Sequence, residues 1–513
     1  MSGLSDASHR DSDYVFVHPR FVIARILSIA APFWVYMTIV VLALGLWRER
    51  RKLEWLALVP AIAGVLASFI FLPPVHRLFF DEDMYINLAS NLAHAPVAQL
   101  TLLGSPDDVQ VSTYYKEPSG WPVMLSFVFL VTGLSETAAF ILARVLFGVA
   151  AAAVYQLARG VVETRLQALA AAIFFAATPA CFWFSVSAGT DVPAALMMLL
   201  GMWGLLSANG ALAAGGFAMA AQTRMELMAL MPLVWMFGKL PLKWKIASAA
   251  LVAAEVAHVG WVMSVSPILA QAENVPSGFA LGYAPGNLLD NIKYLFNPIA
   301  FPAGMTLLGL IAVYQGWRTS RAHPWLISVY PFGVLFCVYL LFYAGSFNVN
   351  PRYSIQILAP LAILAVSVLK RPVYIAALML SLALPYVQRW EFTGYLEALA
   401  ADHRISVQFV PRVGPNDLVL SATPQMFMNQ GLRAMDAVFA SSRKDKIDEE
   451  LRVRDKIWYH SGVRTNRLDS VEASADRWMK SNFELHLIDS HEISGIRIAF
   501  YDVLPKLIDR EAR

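Results

Sequence analysis

The chain is 513 residues long, 58% hydrophobic and only 15% charged, with 14 Trp and a mean hydropathy of +0.53. A soluble enzyme of this length has no core large enough to hide that much apolar surface, which leaves an integral membrane protein. A net charge of +3 gives no sign of a nucleic-acid-binding surface, and the two cysteines, Cys181 and Cys337, sit apart in apolar runs, against a disulfide framework or a thiolate site.

Residues 1 to 20 form a polar N-terminal tail with no basic region followed by a cleavage site, so the first apolar run, 21 to 47, is expected to be a retained span. A spanning helix needs about 20 mostly apolar residues. Further runs lie at 55 to 73, 137 to 158, 167 to 184, 191 to 207, 225 to 238, 246 to 266, 299 to 316, 325 to 345, 353 to 369 and 372 to 388. The small-residue stretch GALAAGGFAMAAQ at 210 to 222 is a short additional candidate, whereas 122 to 134 is too short to cross untilted and reads as re-entrant or interfacial. The basic groups at 48 to 52, Arg159 with Arg165, 239 to 245, Arg318 with Arg321, and Lys370 with Arg371 share one, cytoplasmic, side only if 210 to 222 crosses and 122 to 134 does not. The expectation is therefore a mainly α, polytopic membrane protein of about 12 transmembrane helices over residues 21 to 388. The N-terminus, an outer loop at 74 to 121 with its acid cluster, the Asp191 turn, the 267 to 298 loop, Arg352 and the C-terminal domain from 389 are expected on the extracytoplasmic side.

Residues 389 to 513 hold 18 of the 40 Lys and Arg and 19 of the 37 Asp and Glu, which marks a soluble tail domain. There strand-like runs (DLVLSA, FELHLIDS, GIRIAFYDVL) alternate with a helical stretch, 425 to 459, as in a small α/β unit.

The densest charge beside a span is FFDEDMY at 79 to 85. A helix starting there has Tyr85, Leu88 and Leu92 on one face, Asp81 as N-cap and Glu82 and Asp83 in its first turn, which accounts for all three acids as caps. The same side, however, carries Lys116, Asp191, Arg224 with Glu226, and Arg352 with Tyr353, all near the ends of apolar helices. Ionised groups at that depth are costly unless paired or used. Their convergence from separate loops points to a polar site.

An Asp-Glu-x-x-Tyr signature in the first large outer loop (Asp81, Glu82, Tyr85), a following Lys-x-Pro (Lys116, Pro118), an acid at a helix start (Asp191) and a late Arg-Tyr (Arg352, Tyr353) together resemble the GT-C superfamily of polytopic glycosyltransferases. Within it the chain is similar to bacterial protein O-mannosyltransferases and the lipid A aminoarabinose transferase, over roughly residues 55 to 388. It departs from them in the extra helix at 21 to 47 and in having Lys-Glu-Pro where relatives place the lysine directly before proline. The resemblance implies an inner-membrane enzyme that takes a hexose or pentose from undecaprenyl phosphate, or a related polyprenyl phosphate, and transfers it to an extracytoplasmic protein, lipid A or glycan. It implies that Asp81 is the general base, with Glu82 beside it. Lys116, Arg352 and Arg144 would bind the donor phosphate, and Tyr85, Asp191 and Tyr353 the substrates. A phosphate leaves as a stable anion without a general acid, so one base plus cations suffices.

Arg144 can equally be a snorkelling or paired structural arginine, and Asp191 a helix cap. No cofactor or metal is expected, because His76 and His94 flank the acid cluster without ligand spacing, although some GT-C enzymes with diphosphate-linked donors use a divalent metal. Glu255 and His258, three apart on one helix face, read as a structural pair. The competing functions are a transporter or flippase for lipid-linked sugars, with Arg144, Glu255 and His258 along its path, and an inactive envelope scaffold.

Overall fold

The structure is a computed structural model, and it describes residues 19–78, 81–114, 117–237, 239–265, 278–319, 322–383, 394–466 and 470–506. The long helix α1 (Pro19–Glu49) leads into α2 (Leu58–Phe71), α3 (Asp81–His94), a hairpin of β1 (Gln99–Ser105) and β2 (Asp108–Tyr114), and α4 (Gly120–Thr132). Then come α5 (Glu136–Arg159), α6 (Arg165–Ala177), α7 (Pro179–Phe184), α8 (Asp191–Leu206), α9 (Gly210–Thr223), α10 (Met231–Met236) and α11 (Leu242–Val265). The bundle closes with α12 (Ala284–Phe296), α13 (Ala303–Thr319), α14 (Ala322–Leu341), α15 (Ile355–Ser367) and α16 (Pro372–Ser381).

Among the described residues three helices, Val22–Lys52, Glu136–Arg159 and Leu242–Val262, are long and apolar enough to cross a membrane, and nine apolar helices are shorter. Prolines shorten the runs read from the sequence: 167 to 184 breaks at Thr178 before Pro179 into α6 and α7, and 225 to 238 divides into a 3₁₀ turn, Met225–Leu230, and α10 with Pro232 near its start. Of the 267 to 298 loop, residues up to 277 lie outside the described ones, and most of the rest folds into α12.

The bundle is apolar outward. Ile26, Phe33, Val40 and Leu44 on α1 and Ile62, Leu66 and Ile70 on α2 are all exposed, a surface suited to lipid. Helix α9 is the opposite case, with every residue buried against α1, α8 and α11. Its small side chains make that possible. A Cβ on Gly216 would lie 2.3 Å from the Gly201 nitrogen, and one on Gly204 would lie 2.2 Å from the Ala213 nitrogen, so α8 and α9 touch backbone to backbone.

The tail comprises α17 (Gly394–Phe409), β3 (Leu418–Ser421), α18 (Pro424–Met428), β4 (Ala434–Asp436), α19 (Ala437–Ser442), α20 (Lys444–Val453), β5 (Ile457–Ser461), α21 (Val471–Asn482), β6 (Phe483–Ile493) and β7 (Ile496–Pro505). The stretch expected to be helical, 425 to 459, is therefore divided. Gly431 takes a positive φ of 82°, which ends the first piece, and Ala434–Asp436 pairs as a buried strand. The sheet order is β2-β1-β4-β3-β5-β7-β6, parallel at β4-β3-β5 and antiparallel elsewhere. The hairpin from the outer loop thus belongs to the tail's sheet, with Leu103 opposite Met435 and Gly104 opposite Ala434. Leu102 and Leu103 enter the same core as Leu418, Leu420 and Met435. The boundary expected at residue 389 lies outside the described residues.

Candidate active site

Glu82 fixes the start of α3. Its Oε2 accepts the backbone N–H of Arg77 (2.5 Å) and of Leu78 (2.8 Å), and its Oε1 accepts from Ser187 Oγ (2.8 Å) and the Ala188 N–H (2.7 Å). The carboxylate is fully buried and joins the loop before α3 to the segment before α8. With both oxygens saturated by fixed donors it has no lone pair for an acceptor. Glu82, expected beside the base Asp81, is thus engaged with backbone and Ser187 donors on both of its oxygens.

Asp81, the first residue of α3, is the one acid of the three that keeps access, with 27% of its side chain exposed. Among the described residues its side chain pairs with Arg352. Oδ2 accepts from Arg352 Nη1 at 3.0 Å, and Arg352 sits on a 3₁₀ turn, Pro351–Ser354, that leads into α15. The Tyr353 ring is near two guanidiniums, 5.1 Å from that of Arg352 and 4.7 Å from that of Arg224, and stacks on Tyr339 at 5.3 Å. Arg224, just beyond α9, forms a buried ion pair with Asp191 at the start of α8 and another with Glu226 at 2.9 Å. Asp81 and Asp191 thus meet on one face of the bundle through Arg352, Tyr353 and Arg224. Asp191 Oδ2 and Arg224 Nε have no hydrogen-bond partner among the described residues, which leaves polar atoms at the base of the site. Tyr85, buried one turn after Asp81, is pushed well above the usual phenol range, first by burial and then by the charges of Glu117 and Asp81.

Lys116 lies outside the described residues. The loop just after it is fastened, because Glu255 Oε1 accepts the Ser119 N–H at 3.0 Å. Glu255 also faces His258 Nδ1 at 3.5 Å, and His258 Nε2 is 3.5 Å from Ser28 Oγ. Arg144 is turned elsewhere, donating to the Leu72 carbonyl at 2.8 Å and lying over the Phe69 ring at 4.3 Å. The geometry therefore brings together Asp81, Tyr85, Asp191, Arg352 and Tyr353, and leaves Arg144 as a clamp on the end of α2. Arg224 and Glu226 were visible in the sequence as charges in an apolar run, QTRMELMAL, but nothing local assigned them a role. Tyr339 carried no signal, being one aromatic among many.

No family model matches the sequence, and no curated protein matches it either. Solved structures do. ArnT from Cupriavidus metallidurans bound to undecaprenyl phosphate superposes with a TM-score of 0.54 at 13% identity, covering 86% of this chain and 97% of that one. The apo state of the same protein gives 0.53 at 12% identity, with the same coverage. The chain has the GT-C fold. A third structure, the arabinofuranosyltransferase AftD from Mycobacteria, covers 88% of this chain and 41% of its own at a TM-score of 0.46 and 14% identity. The 86% shared with ArnT exceeds what residues 55 to 388 can supply, so the GT-C likeness reaches beyond the stretch that carries the motifs.

Proposed function

We propose that the chain is an integral membrane glycosyltransferase that moves a sugar from a polyprenyl-phosphate donor, undecaprenyl phosphate being the molecule bound in the ArnT structure, to an acceptor on the extracytoplasmic side. The observation that carries this reading is the Asp81–Arg352 pair: the one accessible acid of the cluster, held beside a cation, with a second guanidinium, that of Arg224, also against the Tyr353 ring. The acceptor hydroxyl replaces Arg352 as the partner of Asp81, which orients it and takes its proton. The acceptor oxygen bonds to the anomeric carbon as the bond from that carbon to the phosphate oxygen breaks, and the electron pair leaves with the polyprenyl phosphate. Arg352, with Lys116 by its motif, stabilises that anion, and cations already held in place in a water-poor cleft do so without reorganisation. Asp191 and Glu226 hold Arg224. Tyr85 and Tyr353 line the sugar. The reaction balances without a cofactor.

For the alternative, a transporter or flippase, Arg144, Glu255 and His258 would line the path, and each has a contact with a neighbour, Arg144 with Leu72, Glu255 with Ser119 and His258 with Ser28. The test is transfer by the purified full-length chain in lipid, with synthetic undecaprenyl-phosphate sugars as donors and product read by mass spectrometry. Asp81→Asn is expected to lower turnover by at least about 100-fold, the scale of a lost general base, with an unchanged melting temperature. Wild-type turnover in a folded Asp81→Asn protein would sink the proposal.

A further inference from the structure

Asp83 leaves the first turn of α3 in a different direction from Asp81, and four side chains from distant parts of the chain meet there. They are His76 from the loop before α3, Asp83, Glu136 from the start of α5, and His403 from α17 of the tail. His403 Nε2 lies 3.6 Å from Asp83 Oδ1 and 3.5 Å from Glu136 Oε1. His76 lies 3.8 Å from Asp83 Oδ2 through Nδ1 and 3.6 Å from Glu136 Oε2 through Nε2. One ligand atom from each residue lies within 4.8 Å of the others.

These separations are too long for good hydrogen bonds. Both ring nitrogens of His76 and Nε2 of His403 indeed have no hydrogen-bond partner among the described residues, although His76 is only 4% exposed. The two contacts of His403 Nε2, 3.6 Å to Asp83 Oδ1 and 3.5 Å to Glu136 Oε1, are instead close to the roughly 3.3 Å edges of a tetrahedron of nitrogen and oxygen ligands set about 2.0 to 2.1 Å from zinc, and His76, which approaches the two carboxylates through different ring nitrogens, would supply one of them as the fourth donor. The outer partners fit as well. Asn429 Nδ2 donates to Asp83 Oδ1 at 3.2 Å and Gln430 Nε2 to Glu136 Oε1 at 2.8 Å, so each carboxylate is oriented by an amide on the oxygen that also faces His403. The two imidazoles stack with centroids 3.7 Å apart, which brings two nitrogen donors to the same two carboxylates.

We propose that His76, Asp83, Glu136 and His403 form a divalent-cation site, zinc by its two-nitrogen, two-oxygen ligand set, that fastens the tail domain to the helical bundle behind Asp81. The site does not depend on the glycosyltransferase reading. Its role is to fix the start of α3, two residues from the proposed base, through a residue of the tail.

The test uses the full-length chain, purified in detergent without chelator or polyhistidine tag, equilibrated with Zn²⁺ and desalted before elemental analysis. The wild type is expected to retain one zinc per chain, and His403→Gln and His76→Gln to hold it at least about tenfold more weakly. Co²⁺ in place of zinc should give the intense visible absorption of a tetrahedral ion in the wild type, a readout that needs no variant to fold. A wild type without stoichiometric zinc, a cobalt spectrum of the solvated octahedral ion, or zinc retained undiminished by both variants, and thus an adventitious ion only, overturns the proposal.

Discussion

Successive residues on a helix point about 100° apart, so Asp81, Glu82 and Asp83 leave the first turn of α3 in three directions. Asp81 meets the cleft and Arg352, Glu82 meets the backbone before α8, and Asp83 meets the tail. The energetic consequences differ accordingly. The Asp81–Arg352 pair is partly exposed, and such pairs contribute about 0 to 1 kcal/mol, so its removal should leave stability nearly untouched. Glu82→Gln keeps the volume but turns one acceptor oxygen into a donor facing existing donors, either Ser187 and Ala188 or Arg77 and Leu78. Leaving buried groups unpaired in this way should destabilise by about 2 to 4 kcal/mol, read as a clear drop in melting temperature in detergent. Thermal stability as high in Glu82→Gln as in Asp81→Asn would contradict the assignment of Glu82 as a strut. Sequence alone made Asp81, Asp191, Arg352 and Tyr353 visible because charge beside apolar runs is costly. The resemblance put Asp81 above Glu82, but the residues alone did not say why, since that depends on which backbone N–H groups arrive at Glu82 from residues 77, 78 and 188. His403 and Glu136 were invisible for a related reason: 267 positions separate them, and neither stands in a local motif.

Among whole elements, α9 shows how composition translates into packing. A helix that is Gly and Ala through most of its length has little side-chain surface to bury, and it is held because its backbone comes within van der Waals reach of α8 and α1. Gly216→Leu should therefore prevent close packing of α8 and α9, with loss of monodisperse protein on size exclusion. Gly260→Leu, on the exposed face of α11 with nothing within 4 Å of the added Cβ, provides the control. It should be neutral or slightly stabilising, because leucine is the better helix former by up to about 1 kcal/mol. Equal tolerance at both positions would show that the α8–α9 contact is looser than described. The small-residue run was legible as a helix, but its position at the centre of the bundle was not, because an all-small pattern has no apolar face to point with.

Across the whole molecule, the sequence divides the chain by composition into a membrane domain and a tail, whereas the sheet runs across that division. Hairpin β1–β2 sits at the sheet's edge, held by β4 and by the core around Leu103 and Met435. A two-stranded hairpin alone is at best marginally stable in water, and the pairing of Leu103 with Met435 spans more than three hundred positions, which no local pattern announces. A chain ending at residue 388 keeps every proposed substrate-contacting residue, yet it loses β4, His403, Asn429 and Gln430 together. Residues 99 to 114 should then become sensitive to protease and their amides should exchange freely, and transfer activity should vanish although Asp81 remains. The Asp83 side of α3 loses its partners at the same time, so the helix start that presents the base is released from one side while Glu82 still holds the other. A truncated chain whose hairpin stays as protected as in the full protein would mean that the bundle orders this loop by itself and that the tail is an appendage, not part of the site's frame.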